Sequence, residues 1–270
     1  PEKETRLHLR ELGFSDTMIE RFFKPFFGGI FLDRSLATSS RMFDFVFKMF
    51  SQCHAALPER GMQAIPQQLA KALPPESLRL GSAVSKIDAR SATLGDGSRV
   101  EGKAVVLATG MSEARRLCSS VADRGWNATR CYYFAAERSP FSRPMIALNG
   151  SGSGAISNVC APSDISPGYA PNGQSLLCVS VSAEAETSGE SVEAELRQWI
   201  GEKAGSLRFL RFYRIEKALP RQLPGDLPFE DATLKTDDGI WLCGDHRHSS
   251  SIQGALRSGR KAAEALIASR

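Results

Sequence analysis

Gly239-Ile240-Trp241-Leu242-Cys243-Gly244-Asp245-His246-Arg247-His248-Ser249-Ser250-Ser251-Ile252-Gln253-Gly254-Ala255-Leu256 is the stretch whose reading decides the fold. Ile240 to Cys243 is a short apolar run after the turn signal Asp237-Asp238-Gly239, the pattern of a buried strand, and Gly244-Asp245 stops it. A helix is predicted a few residues on, capped by Ser250 or Ser251. Its apolar stripe is Ile252, Ala255, Leu256, Gly259, Ala262, Ala263 and Leu266, with Arg257, Arg260 and Lys261 on other faces. A strand end, an acid, a loop and a helix start bearing small residues make a place where a ligand meets free backbone N–H groups and the positive end of a helix dipole. An ordinary β-loop-α connection has the same look, and these residues alone leave both readings open.

Upstream, from Leu57 to Gly110, the pattern is also α/β. Gly61 to Pro66 leads into a short helix with Leu69 and Leu73 on one face, stopped by Pro74-Pro75. A strand is predicted from Leu78 to Ile87. Ala92–Leu94 and Ser98–Glu101 flank Gly95-Asp96-Gly97, a hairpin signal, and Ala104 to Gly110 reads as a buried strand ending in a tight turn.

Residues 1–54 read as mainly helical. A first helix spans Glu4 to Leu12, and Ser15-Asp16 caps a second that runs towards Phe23. Pro25 and Gly28-Gly29 are predicted to break the chain. Thr38 to Ser40 then caps a helix with Met42, Phe43, Val46, Phe47, Met49 and Phe50 round much of its circumference, a composition normally buried or lining an apolar cavity. Nine of the fifteen phenylalanines fall between Phe22 and Phe50, so the region suits an apolar substrate pocket or a membrane-facing mouth as well as a plain core.

From Met111 to Thr236 the chain carries fewer signals. Ser112 begins a short helix through Leu117, and strands are predicted at Arg130–Ala136, Ala155–Cys160, Leu176–Val181 and Phe209–Lys217. Ser191 is expected to cap an amphipathic helix bearing Val192, Leu196, Trp199 and Ile200. Asn149 to Gly154 is glycine-rich, but strands on both sides make it a hairpin or loose turn, not a dinucleotide fingerprint.

With 270 residues, 42% apolar and 24% charged, the chain has the composition of a globular protein with a sizeable core. A net charge of +4 spread along the sequence gives no reason to expect nucleic acid, and no run has the length or pattern of a membrane span or signal peptide. The six cysteines, at positions 53, 118, 131, 160, 178 and 243, are scattered without a Cys-x-x-Cys pair. They read as reduced thiols in an intracellular compartment, the cytoplasm and the plastid both being open. Cys243, His246 and His248 are near one another but lack a fourth donor, so no metal is expected. His8 and His54 read as surface or packed histidines, and no Ser-His-Asp grouping or special carboxylate pair stands out.

A strand ending in Gly244-Asp245, a short loop and Ser251-Ile252-Gln253-Gly254-Ala255 with Ser258-Gly259 opening a terminal helix resemble the C-terminal flavin motif of the amine oxidase, phytoene desaturase and protoporphyrinogen oxidase superfamily. The middle segment resembles the same superfamily in its order: Gly61-Met62, helix, strand with Val84, hairpin, and a strand ending in Ala108-Thr109-Gly110. So does Lys24 to Asp33, which matches a piece of the substrate-side domain. The resemblance implies an α/β fold with an α+β substrate domain: an FAD-binding, glutathione-reductase-like domain lacking its N-terminal βαβ unit, beside a mixed-sheet and helical substrate domain. Residues 1–54 and 113–236 fall to the substrate domain, 55–112 and 237–270 to the FAD domain.

FAD is the cofactor so implied. Asp245, after Gly244, is expected at its ribityl and pyrophosphate part, Ile252, Gln253, Gly254 and Ala255 at the pyrimidine edge of the flavin, and the Val84 backbone at the adenine, with Thr109 and Gly110 at the adjoining strand end. A helix N-terminus suits that edge, since reduced flavin is negative there. The activity implied is oxidation or desaturation of an apolar or amphipathic small molecule, without an assigned catalytic side chain. The superfamily's Gly-x-Gly-x-x-Gly βαβ unit does not occur within residues 1–270. The chain is therefore expected to be the C-terminal two-thirds or so of such an enzyme, or a scaffold that has left flavin binding for an interaction role.

Overall fold

The computed structural model describes residues 1–52, 54–226 and 234–269. Cys53 lies outside them, as does the part of the predicted β-rich segment between 227 and 233. Helix α1 (Thr5–Glu11) is followed by a three-residue α2 (Asp16–Met18), capped by Ser15, whose Oγ accepts from the Met18 N–H at 3.2 Å. A π-helical turn, Ile19–Phe23, runs straight into α3 (Lys24–Phe31). The predicted break at Pro25 and Gly28-Gly29 is thus absent. Pro25 falls in the first turn of α3, where a helix tolerates its ring. Both glycines serve close packing: a Cβ on Gly28 would stand 3.3 Å from the Arg34 and Asp33 backbone, and one on Gly29 would stand 2.9 Å from the Asn158 amide. The helix ends at Leu32, in the left-handed region. Helix α4 (Ser40–Gln52) buries Met42 and Phe43 but leaves Phe47 and Phe50 47% and 46% exposed, so of the two roles its composition allows, buried or lining an apolar cavity, it is not wholly buried.

The remaining elements follow in order: α5 (Ala64–Lys71), β1 (Val84–Ile87), β2 (Ser91–Leu94), β3 (Arg99–Glu101), β4 (Val106–Leu107), α6 (Met111–Leu117), β5 (Trp126–Ala136), β6 (Ile146–Leu148), β7 (Ile156–Cys160), β8 (Ser175–Val181), α7 (Gly189–Ile200), β9 (Leu207–Pro220), β10 (Trp241–Leu242) and α8 (Ile252–Ala268). They form two compact units, one of Pro1, 3–73 and 127–218, the other of Glu2, 74–126 and 219–270. Residues 55–73 stay with the first unit, where the Tyr169 hydroxyl donates to the Pro58 carbonyl at 2.8 Å. Residues 113–126 stay with the second, because Ala114, Cys118 and Val121 share a core with Leu107, Ile240 and Leu242.

In the first unit a five-stranded sheet runs in the order β6-β7-β8-β5-β9, with antiparallel ladders from β6 through β7 and β8 to β5. Alternation sends Tyr132, Phe134, Val159, Leu177 and Val179 to one face, where Val192, Leu196 and Ile200 of α7 cover them. Cys131, Tyr133, Cys160 and Cys178 point to the other face and are partly exposed. Ser188, not Ser191, is the N-cap of α7; Ser191 closes a capping box from the N3 position. Asn149 to Gly154 does form the turn of the β6-β7 hairpin.

The second unit holds a three-stranded antiparallel sheet, β1-β2-β3, and a parallel pair, β4 and β10. The strand predicted from Leu78 begins only at Val84, because Gly81 takes a left-handed φ of 70° and turns the chain just before it.

Candidate cofactor site

All nine predicted cofactor residues belong to the second unit. Trp241 and Leu242 pair in parallel with Val106 and Leu107, and the Cys243 N–H donates to the Leu107 carbonyl at 3.1 Å. Parallel pairing puts the two strand ends side by side, so Thr109-Gly110 and Gly244-Asp245 emerge together at the carboxyl end, where open α/β sheets bind their ligands. At φ 145° a Cβ on Gly244 would also meet the His246 ring at 2.6 Å and the Thr109 carbonyl at 3.4 Å, which restricts the position to glycine. A Cβ on Gly110 would meet nothing within 4 Å.

Helix α8 is fastened to this strand end by one side chain. Buried Ser258 accepts from the Gly244 N–H at 2.8 Å, and its own hydroxyl lies 2.9 Å from both the Gly244 and Ala255 carbonyls. The buried face of α8 is Gly254, Ser258 and Ala262, while Ile252 and Leu256 are each 47% exposed. The apolar stripe expected from the sequence is therefore rotated: small residues four apart let the helix come close, and the larger ones point away. Ser251 is the N-cap, accepting from the Gly254 N–H at 3.0 Å, whereas Ser250 donates to the Pro220 carbonyl at 2.8 Å. Buried Gln222 braces the loop with both ends of its amide, donating to the His248 carbonyl at 3.1 Å and accepting from the Ser250 N–H at 3.0 Å. With the Gly254 N–H engaged by the cap, the Ile252 and Gln253 N–H groups, which have no intrahelical acceptor, open the helix end. Gly254 itself has a packing reason to be glycine, since a Cβ there would lie 1.8 Å from the Ser249 carbonyl oxygen.

Val84 stands apart from this group. It lies on β1, and its carbonyl accepts from Arg116 near the far end of α6 at 2.7 Å, while Gly110 caps the near end. An open groove of about 710 Å³, lined in part by Asp88, Arg99, Ser119 and Asp238, holds none of the predicted residues.

Asp245 has a partly exposed carboxylate that accepts from the His246 N–H at 2.8 Å. Thr109 Oγ1 and both ring nitrogens of His246 are buried without a hydrogen-bond partner among the described residues. Buried polar atoms without partners are rare and call for a ligand or water. The donor set fits a flavin's ribityl and carbonyl groups: a carboxylate, a hydroxyl, an imidazole and two helix-end N–H groups. Two partly buried arginines add positive charge. Burial lowers the pKa of Arg247, and the Arg124 charge lowers it further; burial also lowers that of Arg124, with Asp226 opposing. Sequence reading missed Gln222 and this arginine pair, named Ser258 only as part of the motif, and weighed His246 only as a metal donor. The spacing Gly254, Ser258, Ala262 is the signal that points to the packing role of Ser258. Among the described residues, Cys243, His246 and His248 are not arranged with any other donors to hold a metal ion.

Residues 1–267 match the family of flavin containing amine oxidoreductases, and the chain belongs to that family. FAD is the cofactor of that family, and oxidoreduction is its general activity. Among solved structures the chain is similar to an oxidoreductase from Methanosarcina mazei, 18% identical with a TM-score of 0.73 over 98% of this chain and 68% of that one. It is also similar to a putative protoporphyrinogen oxidase from Exiguobacterium sp. 255-15, at 16% identity and TM-score 0.60 over 78% of this chain and 52% of that one. A putrescine oxidase redesigned in its cofactor binding gives 19% and 0.57, over 77% of this chain and 53% of that one. No curated protein matches. The chain thus spans about half the length of the last two proteins.

Proposed function

We propose that the chain forms the flavin-edge and substrate-side part of an FAD-dependent oxidoreductase that oxidises or desaturates an apolar or amphipathic small molecule. The observation that carries this reading is the convergence of Thr109-Gly110, Gly244-Asp245 and the start of α8 around buried polar atoms that have no hydrogen-bond partner among the described residues. When bound, FAD supplies the acceptor for the substrate's hydride. Asp245 would accept hydrogen bonds from the ribityl chain, and Thr109 and His246 would complete theirs on it. The N–H groups of Ile252 and Gln253, with the α8 dipole behind them, would favour negative charge at the pyrimidine edge. Gly254 and Ala255 shape that helix end, Val84 would meet the adenine through its backbone, and Arg124 and Arg247 would add positive charge for the diphosphate.

The apolar substrate class is supported in the first unit by a chain of aromatic contacts, Phe22 on Phe26 at 5.6 Å and Phe26 on Phe50 at 5.2 Å, part of which stays exposed. The same surface suits peripheral contact with a lipid layer. Among the described residues no helix is long and apolar enough to cross a membrane.

The proposal puts the main diphosphate-binding turn outside residues 1–270. Titration with FAD, followed by calorimetry and by flavin absorbance, tests it: the chain alone is expected to stay colourless, and a protein extended at its N-terminus to be yellow. Saturable, tight FAD binding by the 270-residue chain would move the diphosphate site inside it. A colourless extended protein would favour the non-catalytic scaffold.

A further inference from the structure

The face of the five-stranded sheet opposite α7 gathers three thiols that the sequence scatters. Cys178 on β8 lies opposite Cys160 on β7 in register, and diagonally beside Cys131 on β5, whose own register partner is Ser180. The Cys131 and Cys178 sulfurs are 3.2 Å apart. Tyr133 is the register partner of Cys178. All three thiols are partly exposed, whereas Cys118 and Cys243 are buried. Hydrogen bonding with Cys131, and then with Cys160, holds the Cys178 thiol well below the usual range despite burial, while the Cys131 and Cys160 thiols are raised. Asp164 raises Cys160 further.

We propose that this cluster is a thiol oxidation site, with Cys178 as nucleophile and Cys131 as resolving thiol, and a hydroperoxide as the oxidant. The Cys178 thiolate attacks the terminal oxygen of the hydroperoxide; an S–O bond forms, the O–O bond breaks, and the departing alkoxide takes the proton that Cys178 released. Cys131 then attacks the Cys178 sulfur; the S–S bond forms, the S–O bond breaks, and the departing hydroxide takes the Cys131 proton to become water. Two thiols lose two electrons and the hydroperoxide becomes an alcohol, or water when it is hydrogen peroxide. The sulfurs must close from 3.2 Å to about 2.05 Å. Cys160 stays reduced. No flavin takes part in either step, so this inference and the proposed function fail or hold separately.

The test is peptide mapping of the reduced 270-residue chain after a few equivalents of hydrogen peroxide and alkylation of the remaining thiols. A linked peptide pair containing Cys131 and Cys178 is expected, with Cys118 and Cys243 unchanged. In untreated protein at about pH 6, iodoacetamide should label Cys178 at least about ten-fold faster than Cys131. Cys131→Ser should leave a sulfenic acid on Cys178 that dimedone traps, and Cys178→Ser should abolish both products. Equal labelling of the two thiols, a bridge between Cys160 and Cys178, or no bridge at all overturns the proposal; the labelling rates decide it even where a serine variant fails to fold.

Discussion

Ser258 joins the last helix to the end of β10, and Ser258→Ala leaves the partly buried Gly244 N–H without its acceptor. A loss of about 1–2 kcal/mol in the denaturant midpoint analysis is expected, the lower part of the range for a stranded donor. Asp245→Ala is expected to behave the opposite way. Its carboxylate is partly exposed and its contacts are local, the His246 N–H at 2.8 Å and the His246 ring nitrogen at 3.7 Å, so stability should stay within about 0.5 kcal/mol. FAD affinity, measured by calorimetry in whichever length of the protein retains the cofactor, should fall by about 1–3 kcal/mol, the loss of a charge-assisted hydrogen bond. Unchanged affinity would remove Asp245 from the site. Gly254→Val reverses what the sequence suggests. The motif alone points to harm at the flavin, but a Cβ at this position would stand only 1.8 Å from the Ser249 carbonyl oxygen, so loss of soluble, folded protein is expected instead. Expression yield and circular dichroism separate the two outcomes.

At the scale of elements, Glu195 on α7 ties the β6-β7 hairpin to the helix by accepting from the Ala155 N–H at 2.9 Å and the Ile156 N–H at 3.1 Å. Glu195→Ala should destabilise the first unit by about 2–3 kcal/mol, since both bonds are to a carboxylate; a change under about 0.5 kcal/mol in urea unfolding would show that water replaces it. The sequence made most elements legible because hydrophobic period and turn chemistry are local. It revealed that α8 exists but not which way it faces, because Gly254, Ser258 and Ala262 are chosen for closeness of approach, which no hydrophobicity pattern records. For the same reason Gly28 and Gly29 looked like breakers when they are contact points inside a helix. In the candidate site, the residues along the strand ends were legible as a motif. Gln222 and Arg124 were not, since their roles depend on loops brought in from 26 residues or more away.

For the whole molecule, each of the two units has its own core, and the second exposes apolar groups along its site: Val106 at 40%, Ile252 and Leu256 at 47%. The outer edge of β10 is paired with residues 234–236, through the Lys235–Trp241 bridge and the Leu242 N–H to Leu234 carbonyl bond at 2.8 Å, whereas β4 has no further strand on its other side among the described residues. Concentration-dependent self-association of the 270-residue chain is expected in sedimentation velocity, and a strictly monomeric chain at high concentration would argue that the β4 edge and the exposed apolar groups are covered. The parallel pair also has a consequence for how the protein is made. Leu107 leaves the ribosome 135 residues before its partner Leu242, a delay of roughly 7–27 s at ordinary rates of synthesis. The first unit is complete at residue 218, whereas β4 and α6 must wait, unpaired, for the final helix to emerge. Ribosome-bound chains stalled shortly after residue 218 should therefore resist protease over the first unit while being cut readily around Val106, and a chaperone that shields short apolar strands would be needed most in that interval.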